Sequence, residues 1–301
     1  MNNKILVTGS NGLVGSEINA DYRIGKEYDL RKDFDCSRML SMYAPTHVVN
    51  CAAKVGGIGL NMAKKGELFY DNIMINTNMI ENCRKYNVKK LVTFLSTCIF
   101  PDNISYPLTE KKIHLGSPHF SNDAYAYAKR MVDIQNRAYR EQYGIEYVSV
   151  IPTNIYGPND NYSLENGHLI PMLIHKMFIA SKNKQDFVVW GSGKPMREFI
   201  YSKDIAKLTE WVLLNYNEDE PIILGNSVEV SILDIVDLIV KEFNFKGKVK
   251  FDKTKPDGQL RKPSDNTKLR TLLPDFVFTP LETGLKETIN HFIQNYESIR
   301  K

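Results

Sequence analysis

The run Lys4 to Thr8 is short and apolar, and it ends on three glycines spaced three apart, Gly9, Gly12 and Gly15. Apolar residues resume at once with Leu13 and Val14. The pattern predicts a strand, a tight turn and a helix from about Leu13. Glycine lets such a turn bend sharply, lets backbone N–H groups come close to a diphosphate, and lets the helix settle on the sheet. A helix start there also offers partial positive charge to phosphates. In this strand–turn–helix setting, near the N-terminus, the three glycines mark a dinucleotide-binding fold.

The rest of the chain fits that beginning. His47 to Ala52, Lys90 to Ser96 and Tyr147 to Ile151 are further short apolar runs. Between them, 72–86 and 122–143 carry apolar residues at helical spacing. Strands alternating with helices predict an α/β fold, a doubly wound parallel sheet of Rossmann type covered on both faces. After Pro152 the order loosens. Strands at 187–190, 222–224 and 249–251 mix with helices near 170–181, 203–214, 231–243 and 281–296, which predicts a smaller C-terminal α/β substrate-binding part. The expected division gives 1–152 and parts of 190–230 to the dinucleotide, and 153–189 with 230–301 to the substrate. The Gly- and Pro-rich stretches 156–167 and 253–263 are long enough to be functional loops.

Bulk properties remove other classes. A formal charge of +4 over 301 residues, with scattered basic side chains, does not describe a nucleic-acid surface. Arg84, Lys85, Lys89 and Lys90 read as a solvated helix end. Cys36, Cys51, Cys83 and Cys98 have neither CxxC spacing nor nearby His pairs, so no metal site is expected and a reducing compartment fits best. No apolar run approaches the roughly 20 residues needed to span a bilayer. The chain enters its first strand almost at once, with no room for a leader, and a cytoplasmic protein is expected.

Tyr125 and Lys129 stand four apart in a predicted helix and therefore share a face. An ammonium beside a phenol favours phenolate, which is expected to lower a pKa of about 10 and make Tyr125 a general acid for a carbonyl oxygen receiving hydride. Ser96, at the carboxyl end of a strand, is placed to be a second donor to that oxygen. In the short segment Ala20 to Lys26, Arg23 and Lys26 suit a 2′-phosphate while Asp21 argues the other way, and NADPH is the expected cofactor.

Several longer strings share one likeness: CAAKVGGI from Cys51, STCIFP from Ser96, PTNIYGP from Pro152, WGSG from Trp190, PMREF from Pro195, and KPDG from Lys255 followed by Arg261-Lys262. The chain resembles the GDP-L-fucose synthases, a branch of the extended short-chain dehydrogenase/reductase family, over nearly its whole length. The resemblance implies a homodimer that epimerises C3 and C5 of GDP-4-keto-6-deoxy-D-mannose and reduces C4 with NADPH. It implies Ser96, Tyr125 and Lys129 for reduction, Cys98 as base and His168 as acid for epimerisation. It places Gly9, Asn11, Gly12, Leu13, Val14, Gly15, Arg23, Ala52, Lys129, Pro152, Asn154 and His168 beside the cofactor. Asn154, Lys176, Trp190, Arg197, Asp257 and Lys262 fall to the substrate. The chemistry is coherent, because a C4 ketone acidifies both neighbouring carbons and one set of oxyanion donors serves both.

The chain departs from that pattern in places. Thr97 stands for a usual serine, Phe100 for a usual tyrosine and Leu95 for a usual glycine, the last expected to point away from the site. Asn11 occupies a turn position where a basic residue is common. A colitose-type enzyme acting on a 3-deoxy sugar would carry the same motifs, as would other reductases of 4-keto-6-deoxy sugars. A dinucleotide-sensing regulator would have no use for the Tyr and Lys.

Overall fold

The structure is a computed structural model that describes residues 3–255, 257 and 259–301. From the N-terminus run β1 (Ile5–Thr8), β2 (Tyr22–Ile24), α1 (Asp33–Tyr43), β3 (His47–Asn50), α2 (Ile58–Ala63), α3 (Lys65–Lys85) and β4 (Lys90–Phe94). Next come α4 (Asp123–Tyr143), β5 (Glu146–Pro152), β6 (Asn154–Tyr156), α5 (Leu169–Asn183), β7 (Phe187–Trp190), β8 (Met196–Tyr201) and α6 (Ser202–Asn215). The chain ends with β9 (Ile222–Leu224), β10 (Glu229–Ser231), α7 (Ile232–Glu242), β11 (Val249–Asp252), α8 (Thr267–Leu272) and α9 (Leu281–Gln294).

Six parallel strands lie in the order β2-β1-β3-β4-β5-β9. Their side chains alternate between two buried faces, which is why the strands read as unbroken apolar runs. Leu6, Val48, Leu91 and Tyr147 pack with Met39, Met79, Ile80 and Val132 of α1, α3 and α4. Val7, Val49, Val92 and Val148 pack on the other side with Ile205, Leu208 and Val212 of α6. The strand order reverses between β1 and β3, and the crevice beyond the carboxyl ends at such a point is where α/β sheets take ligands. Outside this sheet β8 lies between β6 and β10, and β7 pairs with β11. A third core there joins α5, α7 and α9 through Ile174, Ile235 and Phe292.

One expectation fails at the start of the chain. No helix follows the glycine turn. Ser16 N–H donates to Gly12 O at 3.0 Å and Glu17 N–H to Val14 O at 3.0 Å, a single turn, and β2 begins at Tyr22. Only Gly9 to Asp21 separate the two parallel strands, about the shortest span such a crossover tolerates. Asn19 also donates from its backbone and its side-chain amide to Glu210 of α6, at 2.7 and 3.0 Å, which draws the chain off any helical course.

A chain of buried amides crosses the sheet edge. Thr8 Oγ1 donates to Asn50 Oδ1 at 2.6 Å, and Asn50 Nδ2 to Asn76 Oδ1 at 3.2 Å. Asn76 Nδ2 donates to Asn72 O at 2.7 Å, and the Asn72 side chain then holds both backbone groups of Lys54, at 2.9 and 3.2 Å. The ends of β1 and β3 are thereby tied to the segment Lys54 to Gly57. Among the described residues no helix is long and apolar enough to cross a membrane.

Candidate active site

Beyond Phe94 the chain leaves β4. Leu95 N–H donates to Val150 O at 2.8 Å and its side chain turns into the core, away from the crevice as expected. Ser96 is extended and caps the 3₁₀ turn Thr97–Ile99. Its Oγ accepts from Cys98 N–H at 3.4 Å and from Cys98 Sγ at 3.2 Å, so hydroxyl and thiol stand together. On α4, Lys129 Nζ donates to Phe94 O at 2.9 Å and lies 6.0 Å from the centre of the Tyr125 ring. Ser96, Cys98, Tyr125 and Lys129 thus gather at the carboxyl end of the central strand.

Burial dominates the electrostatics of this cluster. It pushes the Tyr125 phenol well above its usual range, and the neighbouring Cys98 adds to the effect. The expectation that Lys129 lowers Tyr125 is not met, because the ammonium is spent on the Phe94 carbonyl and desolvation exceeds its influence. Burial also brings Lys129 down to about 8, with Cys98 and Cys51 acting against the fall. The Cys98 thiol is raised by burial, and Ser96, Lys262 and Lys129 oppose the rise in that order.

His168 is the N-cap residue of α5, with its ring half exposed and Nδ1 4.0 Å from Asp160 Oδ1. Asp160 is buried, its carboxyl raised by burial and drawn down by His168. Nothing in the sequence singles out Asp160, which looks like one more polar residue of a loop. That loop is held from both sides. Asn159 Nδ2 donates to Ser16 Oγ at 3.3 Å, and Gly57 N–H donates to Asn166 O at 3.2 Å.

At the crevice, Gly9 has φ of +65°, and a Cβ there would stand 2.9 Å from Ala52 N, so the position requires glycine. The backbone N–H groups of Leu13, Val14 and Gly15 meet no acceptor among the described residues, which suits a dinucleotide diphosphate. Pro152 ends β5, at the carboxyl edge of the same sheet, where it pairs with Leu224 of β9. Asp21 lies elsewhere: its carboxylate accepts from Ile5 N–H at 2.8 Å, at the opposite end of β1. Arg23 does not reach outward as expected, because its guanidinium turns back onto the carbonyls of the glycine turn. Glu27, which the sequence pattern does not mark, accepts from Gly25 N–H at 2.8 Å beside the Asn11 amide. An acidic group just after β2 is where ribose hydroxyls are met.

In the smaller sheet Asn154 Nδ2 of β6 donates to Glu198 O of β8 at 2.7 Å. Arg197 donates to Met196 O and Gln259 O, both at 2.7 Å, and burial lowers its pKa. A cation bonded to carbonyls in a desolvated place is suited to receive phosphate oxygens. Lys262 is lowered chiefly by burial, with Cys98 and Arg197 among the groups near enough to act on it. Lys176 Nζ stands 4.3 Å from the centre of the Trp190 ring. Asp257 is already engaged, accepting from Ser192 N–H at 2.8 Å and Ser192 Oγ at 2.6 Å, so its carboxylate serves the 191–193 turn.

A switch-point crevice with Ser, Tyr and Lys gathered at the end of the central strand is the arrangement of a dinucleotide-dependent enzyme of carbonyl chemistry. The chain belongs to the NAD dependent epimerase/dehydratase family, whose model matches residues 18–225. It is 49% identical over 314 residues to a GDP-L-fucose synthase of Dictyostelium discoideum, covering 99% of this chain and 97% of that protein. It is 43% identical over 319 residues to a probable GDP-L-fucose synthase of Drosophila melanogaster, covering 99% of each. A solved GDP-L-fucose synthetase from Naegleria fowleri bound to NADP superposes with a TM-score of 0.94 at 44% identity, covering 100% of this chain and 95% of that one.

Proposed function

We propose that the chain is an NADPH-dependent epimerase/reductase that converts GDP-4-keto-6-deoxy-D-mannose to GDP-L-fucose. The observation that carries the reading is the contact of Cys98 with Ser96, 3.2 Å apart, in the cluster that also holds Tyr125 and Lys129. A reductase alone has no need of a thiol beside its oxyanion donor. The full-length identity to named GDP-L-fucose synthases supplies the substrate.

In this reading the lobe of 153–189 and 230–301, with the neighbouring segment 190–197, takes the GDP-sugar: Asn154, Arg197 and Lys262 lie toward the diphosphate and sugar and Trp190 with Lys176 toward the nucleoside. Cys98 as thiolate removes the protons from C3 and C5 in separate steps, while Ser96 and Tyr125 donate to the C4 oxygen as it gathers charge. His168 returns a proton to the opposite face of each carbon, held in orientation by Asp160. Bound NADPH supplies the hydride that C4 receives. Tyr125 then gives its phenolic proton to the C4 oxygen, and Lys129 stabilises the phenolate left behind. Gly9, Gly12 and Gly15 with Ala52 and Pro152 form the cradle that holds the dinucleotide.

Incubating the protein with GDP-4-keto-6-deoxymannose and NADPH in D₂O tests this directly. GDP-L-fucose with deuterium at C3 and C5 is expected by NMR. A reduced D-sugar without deuterium would remove the roles given to Cys98 and His168, and turnover of a 3-deoxy substrate alone would favour the colitose-type enzyme.

We also infer a homodimer. Tyr127, Met131 and Ile134 form an exposed stripe on α4, beside exposed Phe69 and Tyr70 on α3. Apolar groups at i, i+4 and i+7 on two packed helices leave a face that a second copy covers. Met131→Glu with Ile134→Lys is expected to halve the mass measured by light scattering, and an unchanged mass would place the interface elsewhere. The four free cysteines suit a reducing compartment such as the cytoplasm.

A further inference from the structure

The missing first helix poses a question about the dinucleotide. A helix after β1 ordinarily turns its positive end toward the phosphates and keeps the glycine turn in shape. Here a single turn remains, too short to build a helix dipole or to bond its own last carbonyls. Those carbonyls are satisfied by one side chain. From β2, Arg23 Nη1 donates to Ile18 O at 2.6 Å, and Nη2 donates to Gly15 O at 2.8 Å and Ser10 O at 3.3 Å. The register brings it there, since Arg23 pairs with Val7, two residues before Gly9. Burial raises the Cys51 thiol just after β3, and the Arg23 charge, after that of Lys129, opposes the rise.

We propose that Arg23 is a positioning residue that takes the place of the absent helix: it locks the glycine turn in the shape that receives the diphosphate and gives that turn its positive charge. The guanidinium suits both tasks, being permanently charged and able to fork across several carbonyls. The proposal rests on the reading that the chain binds NADPH, and it assigns Arg23 to the diphosphate common to NADPH and NADH. The 2′-phosphate is left to the Asn11 and Lys26 side of the crevice.

Calorimetric titration of the full-length protein with NADPH, NADH and GDP separates the possibilities. Arg23→Met is expected to weaken NADPH and NADH by the same factor, about tenfold or more, which is the loss of charged hydrogen bonds. Arg23→Lys, which keeps the charge without the fork, is expected to fall between Arg23→Met and the unaltered protein. GDP binding, made by the other lobe, is expected to be unchanged in both. A loss confined to NADPH would place Arg23 on the 2′-phosphate and overturn the proposal, as would unchanged affinity for both dinucleotides. Loss of GDP binding together with dinucleotide binding in both variants would make Arg23 a general support of the fold, again against the proposal. If the unaltered protein binds GDP but neither dinucleotide, the cofactor reading itself falls and this inference with it.

Discussion

Replacing Tyr125 by Phe is expected to slow C4 reduction by about a thousandfold, within the usual range for loss of a positioned general acid. Solvent deuterium should still enter C3 and C5, because the proposed mechanism gives that exchange to Cys98. The buried phenol has a raised pKa and keeps its proton until an oxyanion forms beside it. A group so reluctant to ionise is a weak acid in the empty crevice. Lys129 is therefore assigned to the phenolate after transfer, when the negative charge exists for it to stabilise. Single-turnover loss of NADPH absorbance measures the effect. A Tyr125→Phe variant reducing at an unaltered rate would move the acid to Ser96 or to water.

The reverse result is expected at the other end of the cluster. Cys98→Ser and His168→Gln are expected to cut deuterium exchange at C3 and C5 by about a hundredfold or more, while direct reduction of the unepimerised ketone persists. The two half-reactions should also answer to pH in opposite senses. Burial holds the Cys98 thiol above its ordinary pKa, so the thiolate fraction, and exchange with it, rises as the medium becomes more alkaline. Lys129 is depressed to about 8, so its ammonium is progressively lost above that pH and reduction falls. Exchange and NADPH oxidation followed together from pH 6 to 9.5 give the two profiles. Parallel profiles would mean that one group governs both steps.

Much of this was legible in the residues. Continuous apolar runs announced a sheet buried on both faces, and the strand after Lys90 carried Ser96 to the carboxyl edge of that sheet. The four-residue spacing of Tyr125 and Lys129 puts them on one helix face. The helix expected from about Leu13 rests on apolar spacing at Leu13, Val14 and Ile18, and it is absent because the connection to β2 is too short to use that spacing. Local pattern was right there, and chain length overruled it. Nearness in sequence points both Arg23 and Asp21 to the ribose, yet strand pairing sends one to the turn and the other to the start of β1. Asp160 and Glu27 have no local mark. Their meaning comes from burial in one case and from the end of a three-residue strand in the other.

The amide chain from Thr8 through Asn50, Asn76 and Asn72 to Lys54 bears on how this protein can change over time. Each side chain in it donates or accepts in a place water does not reach, so altering one leaves its neighbour unsatisfied at about 1–3 kcal/mol. Against a total stability of some 5–15 kcal/mol, two such losses in succession are hard to survive. Substitutions along this line are therefore expected to be tolerated in concert and rejected singly. The residues linking the glycine turn to the Lys54 segment would then be inherited as a block, while the exposed helix faces around them drift freely.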